Sequence, residues 1–283
     1  VSPARTFRHG IHPEENKGAT AHLAIERMPF VPRYVLPLAQ HAGAPARPVV
    51  RPGERVERGQ VVAEPVGFVS ATLHAPVDGR VVAIAPRPHP SGRLADAIEI
   101  EIDPLSPQRR PESAALDPAT LDDAGFVAEL QSAGLVGMGG AAFPTHVKYK
   151  LPEGRKIRRL VVNGCECEPF LTSDHRLMVE HADEVVRGAE IAAARLAVEE
   201  TVFGVEINKP DAIAALERAT AGRPRMRVAP LQVKYPQGAE KMLIHAIYGL
   251  EVPSGQLPLD VGILVNNVAT MTAIADWFDR RWP

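Results

Sequence analysis

Gly134-Leu-Val-Gly-Met-Gly-Gly-Ala-Ala-Phe-Pro-Thr-His-Val-Lys148 is the stretch from which the fold can be read. Four glycines fall within its first seven residues, followed by Phe143-Pro-Thr145 and a lysine. Glycine reaches positive φ without steric cost and lets a ligand come close to the backbone. Such a loop can turn successive N–H groups toward a phosphate. It can equally be a helix C-cap followed by a turn. The flanks decide the fold class. Upstream, Thr120 to Ala133 reads as a helix with Phe126, Val127 and Leu130 in reach of one face. Downstream, a basic loop leads to Arg158-Arg-Leu-Val-Val-Asn163, which reads as a strand.

The alternation then continues. Asp174 to Glu199 reads as one helix, with Leu177, Met178, Val185, Ile191 and Leu196 as core contacts. Val202–Ile207 reads as a strand, and Lys209-Pro-Asp-Ala-Ile-Ala-Ala-Leu-Glu217 opens a helix whose proline suits the first turn. Met226–Leu231 is a strand, Gly238–Tyr248 a helix, Val261–Val265 a strand and Thr270–Asp279 a last helix. Repetition of strand and helix with right-handed crossovers predicts an α/β domain over residues 119–283. Its expected form is a Rossmann-like, mostly parallel sheet with helices on both faces.

Ligands on such a sheet gather beyond the C-terminal ends of its strands. That rule selects Asn163-Gly-Cys-Glu-Cys-Glu168, Tyr235-Pro-Gln-Gly-Ala-Glu-Lys241 and Asn266-Asn-Val-Ala-Thr270. Asparagine and glycine are also ordinary turn formers, and Glu240 suits a helix N-terminus electrostatically. Two adjacent asparagines offer both donors and acceptors, suited to a phosphate, a ribitol or a ring edge. Thr270 either caps the last helix or meets a phosphate.

The N-terminal side differs. Residues 1–34 are rich in proline, histidine and charge and read as an extended arm; His9 and His12 read there as structural or solvated. Residues 35–104 show short apolar runs between turns such as Arg51-Pro-Gly-Glu54 and Pro76-Val-Asp-Gly79, which predicts a small all-β domain. Ala97-Ile-Glu-Ile-Glu-Ile102 alternates as a half-buried strand does. Residues 105–118, with proline, serine and arginine, read as a linker.

Length and charge bound the function. A chain of 283 residues with 45% apolar residues can form two cored domains. Its 32 Lys plus Arg against 34 Asp plus Glu, with 5% aromatics, argue against a general nucleic-acid binder. Cys165 and Cys167 supply neither a disulfide framework nor the four ligands of an iron–sulfur cluster, so no metal site is expected. No apolar run approaches the roughly 18 residues of a membrane span. Docking on a membrane complex requires none.

Val50-Arg-Pro-Gly-Glu-Arg-Val-Glu-Arg-Gly-Gln-Val61 and His74-Ala-Pro-Val-Asp-Gly-Arg-Val81 resemble the half-motifs of a biotinyl/lipoyl-type barrel-sandwich hybrid. The carrier lysine of such domains is missing from Glu64-Pro-Val-Gly-Phe-Val-Ser-Ala-Thr72, so a scaffold or docking role is expected. The whole chain resembles the RnfC subunit of the membrane-associated Rnf electron-transport complex, and its later part is similar to the FMN- and NADH-binding subunit of respiratory complex I. The resemblance is carried by Phe7–Lys17, Pro37–Pro45, Phe68–Val81, Gly134–Lys148, Asn163–Met178, Lys234–Lys241, Glu251–Gly255 and Val261–Thr270. It implies that Gly137, Gly139 and Gly140 cradle FMN, with Lys148 adding positive charge. It implies flavin contacts for Asn163 and Glu166, and a nucleotide side formed by Phe143, Glu168, Gly238, Ala239 and Glu240. Asn266, Asn267 and Thr270 would close the FMN phosphate site.

The implied chemistry passes a hydride from NADH to FMN, then single electrons to iron–sulfur clusters, coupled in the whole complex to ion movement. No catalytic acid or base is implied; Glu168 and Glu240 are expected to position. The implied partners are the other Rnf subunits and a ferredoxin-linked electron chain, at the cytoplasmic face of the membrane. The family's 4Fe-4S clusters belong to a C-terminal domain that this sequence does not contain, so the chain resembles an N-terminal fragment or a truncated member. Ala142 stands where the family has glycine and would be strained if that backbone needs positive φ. The alternatives are a related flavoprotein reductase, such as the cobalamin-reductase relative, and a docking subunit without a cofactor.

Overall fold

Residues 4–110 and 113–283 are described by a computed structural model of the chain. The expected arm and linker include residues 1–3 and 111–112, which lie outside the described residues. The chain forms two compact units, Arg27–Lys150 with Asp276–Pro283, and Val1–Glu26 with Leu151–Ala275. The first is built on antiparallel strands and the second on a parallel sheet.

In the antiparallel unit the strands are β1 (Arg33–Pro37), β2 (Arg47–Pro48), β3 (Arg55–Val56), β4 (Val61–Glu64), β5 (Leu73–His74), β6 (Gly79–Pro88) and β7 (Leu94–Ile102). They form two sheets, in orders β1-β7-β6-β3 and β2-β4-β5. Their apolar side chains share one core that includes Leu36, Val56, Val62, Leu73, Val81, Ile98 and Ile100. The alternation read in β7 holds for Ile98, Ile100 and the exposed Glu101. Glu99 departs from it. It is buried on the other face because Arg87 and Arg33 pair with its carboxylate at 2.5 and 2.8 Å.

Two helices complete this unit, α1 (Asp123–Ser132) and α2 (Thr145–Tyr149). Asp122 caps α1 by accepting the Gly125 N–H at 2.7 Å. Phe126 of α1 stacks on Phe278 at 5.2 Å, and Glu129 accepts the Trp277 indole N–H at 2.9 Å. Trp277 and Phe278 are therefore part of this core, and the residues from 276 onward belong to this unit.

The parallel unit contains β8 (Arg159–Gly164), α3 (Ser173–Glu180), α4 (Ala182–Leu196), β9 (Glu200–Glu206), α5 (Pro210–Ala219), β10 (Met226–Leu231), α6 (Glu240–Tyr248) and β11 (Ile263–Asn267). The first turns of α7 (Val268–Arg280) belong to it as well. All four strands are parallel, in the order β10-β9-β8-β11. Successive residues Leu160, Val161 and Val162 are all fully buried, as are Val202 and Phe203. Side chains alternate faces along a strand, so both faces of this sheet are covered. Val161 and Val202 pack with Leu243, Ile244 and Ile247 of α6.

Several boundaries shift by one to three residues from the sequence reading, and two departures go further in what they change. The helix expected over 174–199 is two helices, parted at His181, whose φ of -130° and ψ of 34° leave the helical region. No proline or glycine marks that break. The last strand starts two residues later than expected, because Pro258–Val261 forms a 3-10 turn ended by Gly262 at φ 72°.

Candidate functional site

The order of the parallel sheet defines a crevice. The chain steps from β8 to β9 to β10 in one direction, then returns to place β11 on the other side of β8. Connections leaving the adjacent strands β8 and β11 therefore diverge, which is where open α/β sheets hold ligands. Asn163-Gly164 ends β8, and Asn266-Asn267 ends β11 in direct register with Val162-Asn163.

Hydrogen bonds join three of the expected clusters here. The Asn163 amide donates to Gly238 O at 2.9 Å, and its oxygen accepts the Cys165 N–H at 3.0 Å. Glu166 is 3% exposed, and its Oε1 accepts the Asp174 N–H at 2.9 Å. The Asn267 amide donates to Asp174 Oδ2 at 2.6 Å, and its oxygen accepts the Ala269 N–H at 2.8 Å. Asn267 thus caps α7. Thr270 is the third residue of that helix and does not cap it.

The remaining candidates are distributed as follows. Asn266 and Thr270 are buried at 4% and 1% exposure. Ala239 is the exposed N-cap of α6 and forms no side-chain cap, and Glu240 is the first residue of that helix. Glu168 is exposed. Gly137, Gly139, Gly140, Phe143 and Lys148 lie in the antiparallel unit.

Beneath the 165–171 loop lies a set of buried charges that the sequence did not single out. Lys209 and Glu206, 1% and 0% exposed, pair at 2.7 Å. Glu206 Oε2 also accepts the Glu166 N–H at 3.2 Å. Lys17, 9% exposed, reaches in from the arm to within 3.9 Å of Glu166 Oε2. Its burial lowers its pKa, against the attraction of Glu166. Burial also pushes the Asp174 carboxyl up to about 6, against the Asn267 hydrogen bond. The Cys165 thiol, fully enclosed, is pushed well up, so it sits there as a packed thiol. Glu166 Oε2 and both amide atoms of the fully buried Gln237 have no hydrogen-bond partner among the described residues.

Only the family resemblance carried any signal for the lysines. Lys17 and Lys234 close and open two of the stretches on which it rests, whereas Asp174 reads from sequence as an ordinary acidic residue in a first helical turn.

In the antiparallel unit, the glycine stretch is a closed loop. Val136 and Pro144 form an antiparallel bridge, and Gly137 N–H donates to Phe143 O at 2.9 Å. Gly134 has φ +71°, and a Cβ there would lie 2.4 Å from Thr72 O. Gly137 and Gly140 do not use the left-handed region, and a Cβ on Gly140 would meet nothing within 4 Å. Ala142 does use it, at φ +49°, and its carbonyl accepts the Ala42 N–H at 3.1 Å. The strain expected at this position is therefore present. The fully buried His146 anchors the loop's exit. Its Nε2 donates to Phe68 O at 2.6 Å, and Lys150 lies over the Phe68 ring at 4.5 Å. The Pro37–Pro45 and Phe68–Val81 stretches thus support the loop.

Comparison with known proteins gives two family matches. Residues 130–276 match the Nuo51 FMN-binding domain, and residues 5–104 match the RnfC barrel sandwich hybrid domain. The C subunit of the Na(+)-translocating ferredoxin:NAD(+) oxidoreductase complex of Acetobacterium woodii is 44% identical over 96% of this chain and 61% of its own length. The C subunit of the proton-translocating ferredoxin:NAD(+) oxidoreductase complex of Clostridium ljungdahlii is 43% identical over 99% of this chain and 61% of its own. The C subunit of the ion-translocating oxidoreductase complex of Pseudomonas aeruginosa is 43% identical over 98% and 36%. The chain thus spans about three fifths, or less, of these curated relatives. Among the described residues, no helix is long and apolar enough to cross a membrane.

Proposed function

Since the chain belongs to the RnfC family of ion-translocating oxidoreductase C subunits and carries a Nuo51-type FMN-binding domain, we propose that it is the flavin and nicotinamide-nucleotide module of a peripheral subunit in a membrane electron-transport complex. The observation that carries this reading is the hydrogen-bonded network Asn163–Gly238 and Glu166–Asp174–Asn267 at the β8/β11 switch point. It gathers amides and carboxylates where a parallel sheet receives a ligand.

The residues present fit a flavin nucleotide. Both amide atoms of Gln237 are buried without a hydrogen-bond partner among the described residues, each of which costs about 1–3 kcal/mol unless satisfied, and Glu166 Oε2 has the Lys17 ammonium at 3.9 Å but no hydrogen bond. A polar ligand or its ordered water would supply the partners. The N-terminus of α6 lacks a side-chain cap and carries the Glu240 carboxylate in its first turn, which suits a polar ligand group more than a second anion. The loop backbone at Gly140 is open on the side where a Cβ would stand.

In this reading Gly137, Gly139 and Gly140 cradle FMN, and Lys148 adds charge. Asn163 and Glu166 hold the ribityl or ring. Asn266, Asn267 and Thr270 close the phosphate site. Phe143, Glu168, Gly238, Ala239 and Glu240 line the side where NAD(H) enters. When bound, FMN supplies a two-electron acceptor for NADH that can release electrons singly. The protein orients the two groups and excludes water, and no side-chain acid or base is required. Partner subunits, a ferredoxin-linked chain, 4Fe-4S clusters held outside this stretch and the cytoplasmic membrane face complete the proposal.

The test is FMN reconstitution followed by anaerobic NADH titration. About one FMN per chain should be retained and bleached by NADH. The variant Gly139→Val should retain none. Absent flavin absorbance after reconstitution defeats the assignment; bound flavin that NADH leaves coloured defeats its nucleotide half.

A further inference from the structure

The N-terminal arm, read from sequence as extended, is docked along the parallel unit as far as Glu26, with Phe7 and Lys17 buried at 5% and 9% exposure. Its backbone pairs once with the end of β10 and once with the segment that follows it. Arg5 exchanges hydrogen bonds with Pro230 and Gln232, and Ile11 with Tyr235 at 2.8 and 2.9 Å. Between these pairings the chain turns tightly, with His9 at φ +68° and Gly10 at φ +95°. A Cβ at Gly10 would lie 3.0 Å from Tyr235 O. This turn aims two carbonyls at one ammonium. Lys234 donates to Phe7 O at 2.5 Å and His9 O at 2.9 Å, and lies 4.2 Å from the centre of the Phe7 ring.

Farther along, the arm reaches the 165–171 loop. Glu15 O accepts the Phe170 N–H at 2.9 Å. Lys17 then donates to Glu166 O at 2.8 Å, Glu168 O at 2.9 Å and Leu171 O at 2.5 Å. An ammonium has three N–H donors, and here each one meets a carbonyl of the same loop. Between arm and loops is a pocket of about 170 Å³ lined by His12, Glu15, Glu166, Cys167, Asn208 and Val233. Over this span polar contacts hold the arm: the His12 ring donates to Val233 O at 3.0 Å, the Asn208 amide donates to Glu15 Oε2 at 2.9 Å, and Lys234 and Lys17 fasten the two ends.

We propose that the arm is a strap setting the spacing of the two loops that carry Glu168 and Gly238–Glu240, and that Lys17 is a positioning residue for nicotinamide-nucleotide binding. Lys234 clips one loop to the strap, and Lys17 clips the strap to the other. Loss of the Lys17 ammonium frees three carbonyls and lets the Glu168 end of the loop drift, while Glu166 keeps its bonds to the Asp174 N–H and to Glu206, and Asn267 keeps its bond to Asp174. This proposal rests on the nucleotide-site reading above, and nucleotide affinity should therefore separate from flavin retention.

The experiment uses the full chain as wild type, Lys17→Met and Lys17→Arg. It reads FMN stoichiometry, the NADH dissociation constant and amide hydrogen exchange of residues 165–171 in the apoprotein. The expected result for Lys17→Met is unchanged FMN stoichiometry, at least tenfold faster exchange and at least tenfold weaker NADH binding. Lys17→Arg should recover part of both losses, because it restores charge and donors with a different geometry. Wild-type NADH affinity in Lys17→Met overturns the proposal, as does equal loss of FMN and NADH. Should Lys17→Met not fold, Lys17→Arg and Lys234→Gln are judged by the same split. A wild-type chain that binds no FMN would sink the functional reading instead, and hydrogen exchange would still decide whether Lys17 orders the loop.

Discussion

Replacing Ala142 with glycine should make the protein more stable, the reverse of the usual effect of that change. Ala142 sits at φ +49°. An L-residue with a Cβ loses roughly 1–2 kcal/mol in the left-handed region. Glycine there escapes that penalty but has about 0.5–1 kcal/mol more chain entropy to lose on folding. The difference favours glycine by about 0.5–1 kcal/mol, equivalent to a rise of about 1–4 °C in Tm for a protein of this size. The Ala42 N–H to Ala142 O bond uses only backbone and survives the change. Both tryptophans, Trp277 and Trp282, belong to the antiparallel unit, so their fluorescence in urea reports on that unit. Ala128→Gly on the exposed side of α1 is the control, and it should lose about 1 kcal/mol through helix propensity alone. If Ala142→Gly falls in stability alongside Ala128→Gly, the left-handed conformation and the strain drawn from it are refuted.

The other expectations concern titration and close contact. Asp174 has a folded pKa of about 6 against 3.8 for an unperturbed aspartate, so the native state holds the extra proton between those values. Its stabilising contribution is complete below the unfolded value and is lost as pH rises through 6. Asp174→Asn should therefore gain up to about 3 kcal/mol relative to wild type at pH 7 and nothing at pH 4, measured by urea unfolding at both. His74 shows the opposite sign, since burial lowers it from 6.5 to about 4. Stability is present above 6.5 and lost as pH falls toward 4, and His74→Gln should flatten that acid limb by up to about 3 kcal/mol in a pH series of melting curves. Gly134→Ala meets both a positive φ and Thr72 O at 2.4 Å, and a loss above about 2 kcal/mol in chemical denaturation is expected.

The parallel sheet was legible because its central strands β8 and β9 are covered apolar runs and the strand and helix patterns alternate around them. Met226–Leu231 can be placed from sequence with both ends correct, since β-branched and apolar residues there stand between a basic turn and a polar loop. The switch-point asparagines were legible as strand-end residues, because the rule depends only on where a strand stops. What stayed hidden depends on distant partners. Lys17 is one charge in a proline- and histidine-rich arm, and no local pattern says that three carbonyls 149 to 154 residues away receive it. Asp174 looks like any acid in a first helical turn until Asn267 and burial are known. The break at His181 has no glycine or proline to mark it, and the strain at Ala142 is signalled only by its departure from a family glycine.

The arm's partners also have a consequence in time. Arg5 donates a side-chain hydrogen bond to Ile247 O, 242 residues along the chain. At a synthesis rate of about 5–20 residues per second, the arm emerges roughly 10–50 s before that acceptor exists. Neither of the sheet-end loops that it joins has been translated when it appears. Residues made early are thus among the last able to dock, and for that interval Phe7, buried once the arm docks, faces solvent or a chaperone. A nascent chain stalled before residue 230 should leave the arm open to protease, and one released after residue 248 should protect it.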